Sequence, residues 1–223
     1  MARAWWWEKT VEHLYVRRIL SDAAFSIPLD GDVEAGVGDL ITADHVGCTL
    51  IEFKKDKGTV ARELDKYKLT PAQREAAGGH YAKAVQLLSP KLLSLPGALA
   101  HYIIFGEATP CYGGGGQLVL RHRQYGDLTD AAGDHLGTHE SLHRAKALEL
   151  LAYMVALSKC RQKDLTSMGG MVFVGVGATS IAAMTLTEFV IECARAKGLI
   201  QSQSPPQPTP PPTRRYEGPS LGR

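Results

Sequence analysis

The sequence predicts an α/β domain over residues 1–200, a mixed central sheet flanked by helices. Three observations predict it. Stretches with apolar residues at helical spacing alternate with short apolar runs of strand length. Two of those runs are separated by a loop of hairpin length. The 223 residues are 44% hydrophobic and 22% charged, a composition that supports one sizeable core and excludes wholesale disorder. A net charge of +2 excludes a histone-like tail protein. It leaves room for a basic groove balanced by acids elsewhere.

The elements follow in order. Val11, Leu14, Tyr15, Ile19 and Leu20 place one apolar stripe on a helix over Glu8 to Leu20. A Gly- and Asp-rich stretch, Asp30 to Gly38, reads as loop, with Asp30, Asp32 and Glu34 as solvated acids. Asp39 to Asp44 and Thr49 to Lys55 are strands joined through His45-Val-Gly-Cys48 into an antiparallel hairpin. After Gly58 the pattern is helical. Thr70-Pro71-Ala72-Gln73 is a helix start with a hydroxyl cap, proline in the first turn and a glutamine closing a capping box. That helix runs toward Leu88 across a weak point at Gly78-Gly79. His101 to Gly106 is a buried strand, and Gly113 to Gly116 a loop. Thr138 to Lys159 is a long helix, Met171 to Val176 a strand, and Ser180 to Lys197 a last helix closed by Gly198.

Residues 201–223 form a separate tail. Pro205-Pro-Gln-Pro-Thr-Pro-Pro-Pro212 cannot build a core and predicts disorder or polyproline II. Cys48, Cys111, Cys160 and Cys193 form no C-x-x-C pair and read as reduced thiols, so a cytoplasmic setting is expected. Met1 to Trp7 has no apolar stretch of the kind a secretory signal needs. Ser167 to Thr187 is uncharged, but its four glycines and several hydroxyls predict a strand and helix rather than a membrane span.

The chemically informative segment is Asp39 with Ile51-Glu52-Phe53-Lys54. On a strand, Glu52 and Lys54 share one face while Ile51 and Phe53 enter the core on the other. Twelve residues separate Asp39 from Glu52, so the antiparallel hairpin brings Asp39 beside them. Two carboxylates and one ammonium then converge. Phosphodiester hydrolysis uses such a trio: hard oxygens hold Mg²⁺, the ion polarises the phosphate and activates water, and a lysine steadies the growing charge. A bare E-x-K string is weak, and a cross-strand ion pair is its bland reading. The apolar flanks, the hairpin and Asp39 give it weight.

This arrangement resembles the PD-(D/E)XK nuclease superfamily over residues 8–108. The resemblance implies a restriction-endonuclease-like core and a Mg²⁺- or Mn²⁺-dependent nuclease. Asp39 and Glu52 would be its acids, Lys54 its lysine, and the Phe53 carbonyl a further metal ligand. It also implies a supporting glutamate on the first helix; Glu12 suits that role, with Glu8 one turn earlier as rival. Gly38 stands where proline is common. The glutamine–tyrosine pair of many members is missing, with Tyr67 and Arg62 as a weak substitute. DNA is the substrate expected from the resemblance, and host defence or mobile-element biology the setting. A homo-oligomer or a protein partner is compatible with it; a membrane is not expected.

Basic residues follow the motif: Lys54, Lys55, Lys57, Arg62, Lys66, Lys68 and Arg74, then Arg121, His122 and Arg123. They suit phosphate contacts or a solvated mixed-charge helix. Trp5-Trp6-Trp7 is read as packing rather than base stacking. A rival signature, His139-Glu140-Ser141-Leu142-His143, resembles the zinc metallopeptidase H-E-x-x-H motif, with Glu140 as general base. Arg144 directly after it, and no third ligand at a usual distance, argue for a surface helix with incidental histidines. The non-enzymatic alternative is an inactive nucleic-acid-binding or assembly module on the same fold.

Overall fold

The computed structural model describes residues 6–20, 25–29, 31–110, 116–129, 133–163, 172–176, 181–185, 188 and 191. The proline-rich tail, Trp5, Asp30, Cys111, Cys193 and most of the Gly113 to Gly116 loop lie outside the described residues.

An amphipathic helix α1 (Glu8–Arg18) precedes strand β1 (Phe25–Pro28) and a short helix α2 (Gly31–Gly36). Then come β2 (Leu40–Ala43) and β3 (Cys48–Asp56), the expected antiparallel hairpin, in register Leu40 to Ile51 through Ala43 to Cys48. The Asp44 carboxylate accepts from the Val46 and Gly47 amides and closes the turn. Gly47 is needed there: a Cβ would meet the Ala145 carbonyl at 2.6 Å.

Helix α3 (Lys57–Val60), a 3-10 turn (Ala61–Lys66), α4 (Pro71–Ala77) and α5 (Tyr81–Leu88) carry the chain across the sheet. Thr70 and Gln73 form the capping box the sequence predicts. Gly78, at φ 56°, ends α4 in the left-handed region, so the expected single helix is two. Strand β4 (His101–Pro110) then pairs parallel with β3, which makes the sheet mixed. Strands β5 (Gly116–Gln124) and β6 (Asp134–His135), helix α6 (Ala147–Cys160), and β7 (Val172–Val176) with β8 (Ile181–Thr185) complete the described elements. The order across the eight-stranded sheet is β6-β5-β4-β3-β2-β1-β7-β8.

Two predicted helices differ. The helix expected from Thr138 starts only at Ala147, after a single 3-10 turn at His139–Ser141. Cys48 and Ala145 exchange backbone hydrogen bonds of 2.8 and 2.9 Å, which draws this segment onto the hairpin end and out of helical geometry. Ile181–Thr185, expected at the start of the last helix, is a strand because β7 finds its ladder partner there. The rest of that helix lies outside the described residues except Glu188 and Ile191. Strands β1 and β5 and helix α2 carried no clear periodic signal.

Two apolar layers sandwich the sheet. Val11 and Tyr15 of α1 pack on Leu40, Ile51, Phe53, Tyr102 and Ile104. On the other face Ile41, Leu50, Ile103 and Phe105 meet Tyr81, Val85, Leu150, Tyr153 and Leu157 of α5 and α6. Trp6 is half-buried and donates from its indole to the Lys55 carbonyl at 2.7 Å, so it packs as expected, whereas Trp7 is 70% exposed and departs from that expectation. Cys48 and Cys160 are reduced cysteines. Among the described residues, no helix is long and apolar enough to cross a membrane.

Candidate active site

Strand β3 lies between β2 and β4 and is covered on both faces. Its alternation puts Ile51 and Phe53 against α1 and turns Glu52 and Lys54 to the opposite face. The sequence suggests an open face there; the structure closes it with the 3-10 turn and α6. Glu52 has no exposed surface and Lys54 is 7% exposed. The ring of Phe53 is held edge-on by Tyr15, 5.5 Å between centroids, which anchors the strand from behind.

The three residues of the motif come together. Continuing the hairpin register sets Asp39 opposite Glu52, and the Asp39 amide donates to the Ile51 carbonyl at 2.8 Å. The Asp39 carboxylate accepts from the Phe53 amide. Lys54 donates to Glu52 Oε1 at 2.5 Å and to the Phe53 carbonyl at 2.8 Å. Its ammonium therefore sits on two of the oxygens that the resemblance assigns to a metal ion.

Several partners join the trio from outside the motif. Glu63, from the 3-10 turn, lies 3.0 Å from Lys54. Lys66 reaches Glu52 Oε1 at 2.5 Å and Glu63 at 3.2 Å. Behind them Arg161, at the end of α6, has a side chain with no exposure and pairs with Glu63 Oε2 at 3.0 Å. It also donates to the Tyr125 hydroxyl, and lies over the rings of Tyr67 and Tyr125. The Tyr67 and Tyr125 hydroxyls are bonded at 2.6 Å, and Tyr125 donates to Glu63. Tyr67 thus belongs to the network, but its companion is Glu63, four residues earlier. Arg62, the companion suggested by the sequence, is exposed. Within the run 54–74, Glu63 and Lys66 look like solvated helix charges; only the turn that folds them onto β3 distinguishes them.

The charges balance. Asp39, Glu52 and Glu63 face Lys54, Lys66 and Arg161. Burial pushes the Asp39 carboxyl up to about 6, against the pull of Lys66, Lys54 and the Phe53 amide. Burial, with Glu63 and Asp39 nearby, also raises Glu52. Burial would raise Glu63 as well, but Lys66, Arg161 and Lys54 together hold it well below the usual carboxylate range. Burial would lower Lys54, yet Glu52, Glu63 and Asp39 hold it above its ordinary value. It stays an ammonium near neutral pH.

On the first helix, Glu12 and Glu8 have different surroundings. Glu12 pairs with Lys9 at 2.7 Å. Glu8 is raised by partial desolvation and feels Lys54, Glu52, Lys66 and Glu63. One helical turn separates the two.

The metallopeptidase geometry does not form. His139 is buried in a 3-10 turn, not on an α-helix. Its Nδ1 bonds the Tyr15 hydroxyl at 2.8 Å and its Nε2 the Thr42 hydroxyl at 3.4 Å, so both ring nitrogens are engaged. His143 and Glu140 are exposed.

Among the described residues, no three His, Cys, Asp or Glu side chains gather as a metal-holding group. The donor set is smaller: the Asp39 and Glu52 carboxylates and the Phe53 carbonyl, with two ammonium groups among them. Glu52 Oε2 is buried without a hydrogen-bond partner. Arg161 Nη1 stands 3.8 Å from that oxygen. Carboxylate and carbonyl oxygens are the donors a hard divalent ion would take. No known protein family, curated protein or solved structure matches this chain.

Proposed function

We propose that this protein is a metal-dependent nuclease that hydrolyses phosphodiester bonds, with DNA as substrate, on a restriction-endonuclease-like core. The observation that carries the reading is the meeting of Asp39, Glu52 and Lys54 around the Phe53 peptide. Asp39, Glu52 and the Phe53 carbonyl would hold the ion. When bound, Mg²⁺ would supply Lewis acidity and a lowered pKa for water. Lys54, held protonated by its neighbours, steadies negative charge on the phosphate and orients water; it does not serve as the base. Glu8 supports the acids from the edge of the cluster.

Purified protein should nick a plasmid with Mg²⁺ or Mn²⁺ and stop when EDTA is added. Lys54→Ala should lower cleavage by about a hundredfold or more, with DNA retention and the circular dichroism spectrum kept. Unchanged cleavage by this variant would remove the assignment.

The charge balance of three acids against three bases favours one second reading, a nucleic-acid-binding or assembly module with a closed ionic core. It predicts DNA retention with no metal-dependent nicking in the unmutated protein.

A further inference from the structure

We propose that Lys66 is a tethered cation that competes with a divalent ion for the oxygens of Glu52 and Glu63. This inference rests on the metal-dependent reading above. It gives Glu63 a function as a carboxylate that shares with Glu52 the position Lys66 occupies.

Four charges form a closed ring. Lys54 and Lys66 each bridge Glu52 Oε1 and Glu63 Oε1, at 2.5 and 3.0 Å for Lys54 and 2.5 and 3.2 Å for Lys66. The two ammonium groups are not equivalent. Lys54 has a third bond, to the Phe53 carbonyl, and its side chain is 9% exposed. Lys66 bonds only the carboxylates, and its side chain is 24% exposed. It ends the 3-10 turn, where a long flexible stem can carry the ammonium into solvent without moving β3. The oxygen Lys66 would vacate is Glu52 Oε1; Glu52 Oε2, buried and without a hydrogen-bond partner, faces Arg161 Nη1 at 3.8 Å.

Charge counting gives the direction. Asp39, Glu52 and Glu63 are matched by Lys54, Lys66 and Arg161, so a divalent ion added to the intact set leaves two excess positive charges in a poorly solvated place. Outward movement of Lys66 removes one of those two charges. A neutral residue at 66 removes the competition and leaves one uncompensated carboxylate for the ion.

The test is Mn²⁺ binding to the full chain by calorimetry, with no nucleic acid present. Lys66→Met should bind Mn²⁺ at least about tenfold more tightly than the unmutated protein, since a like charge at the site is gone. Lys83→Met, at an exposed lysine on α5, should leave affinity unchanged. Glu63→Gln should weaken binding. Equal or weaker binding by Lys66→Met, while the unmutated protein binds Mn²⁺ through Asp39 and Glu52, overturns the inference and leaves the nuclease reading standing. Mn²⁺ binding by none of these proteins overturns both. Should Lys66→Met fail to fold, the unmutated protein carries the test: Mg²⁺ saturation should shift the Lys66 side-chain NMR signals to those of a free lysine. An unmoved Lys66 signal at saturation overturns the proposal.

Discussion

Asp39→Asn separates a functional acid from a structural one. An ion-paired structural carboxylate stabilises the fold, and its loss is costly. Asp39 behaves in the opposite way because burial raises its carboxyl from 3.8 to about 6. The folded state therefore binds a proton more readily than the unfolded chain between those values. Stability falls as pH rises through that window and stays low above it. Each pH unit of separation is worth about 1.4 kcal/mol, so charge on Asp39 costs the fold up to about 3 kcal/mol above the window. Asparagine removes the charge and keeps an oxygen for the Phe53 amide, at a loss of roughly 1 kcal/mol for the weaker bond. The variant should be more stable than the parent by about 1–2 kcal/mol near neutral pH. The gain should vanish in acid, where both states of the parent are protonated. Urea unfolding at several pH values measures it, and plasmid nicking should be lost in the same variant. A destabilised Asp39→Asn at neutral pH, or a gain that persists in acid, would refute the electrostatic account of the site.

Two more variants probe the surroundings. Arg161→Met leaves Glu63 buried beside a missing partner and should cost about 3–5 kcal/mol in urea unfolding; adding Glu63→Gln should recover part of it, and a purely additive pair would show that the contact contributes nothing. His139→Ala should cost about 1–3 kcal/mol by orphaning the Tyr15 hydroxyl, and release of stoichiometric zinc from the unmutated protein would contradict the bonding drawn for that ring.

The hairpin, the capping box at Thr70 and the face shared by Glu52 and Lys54 were legible in the sequence because each depends on neighbours a few residues apart. Alternation along β3 and the turn at Asp44 and Gly47 set Asp39 opposite Glu52 with no help from distant parts of the chain. The hidden parts depend on distance. Glu63 and Lys66 become site residues only when the 3-10 turn folds over β3, and Arg161 only when α6 delivers its last turn there. The histidine pair fails as a metal site for the same reason: Cys48 captures the backbone of Ala145, and the helix that would align the two rings never starts at Thr138.

The sequence by itself determined the strand pair and the acid–acid–lysine trio, since period-two alternation and turn chemistry are local. Tertiary structure alone decided that the trio is buried, that three cations balance three acids, and that Lys66 occupies the oxygens of Glu52 and Glu63. Charge compensation in a low-dielectric interior is a property of the assembled neighbourhood, and no stretch of sequence contains it.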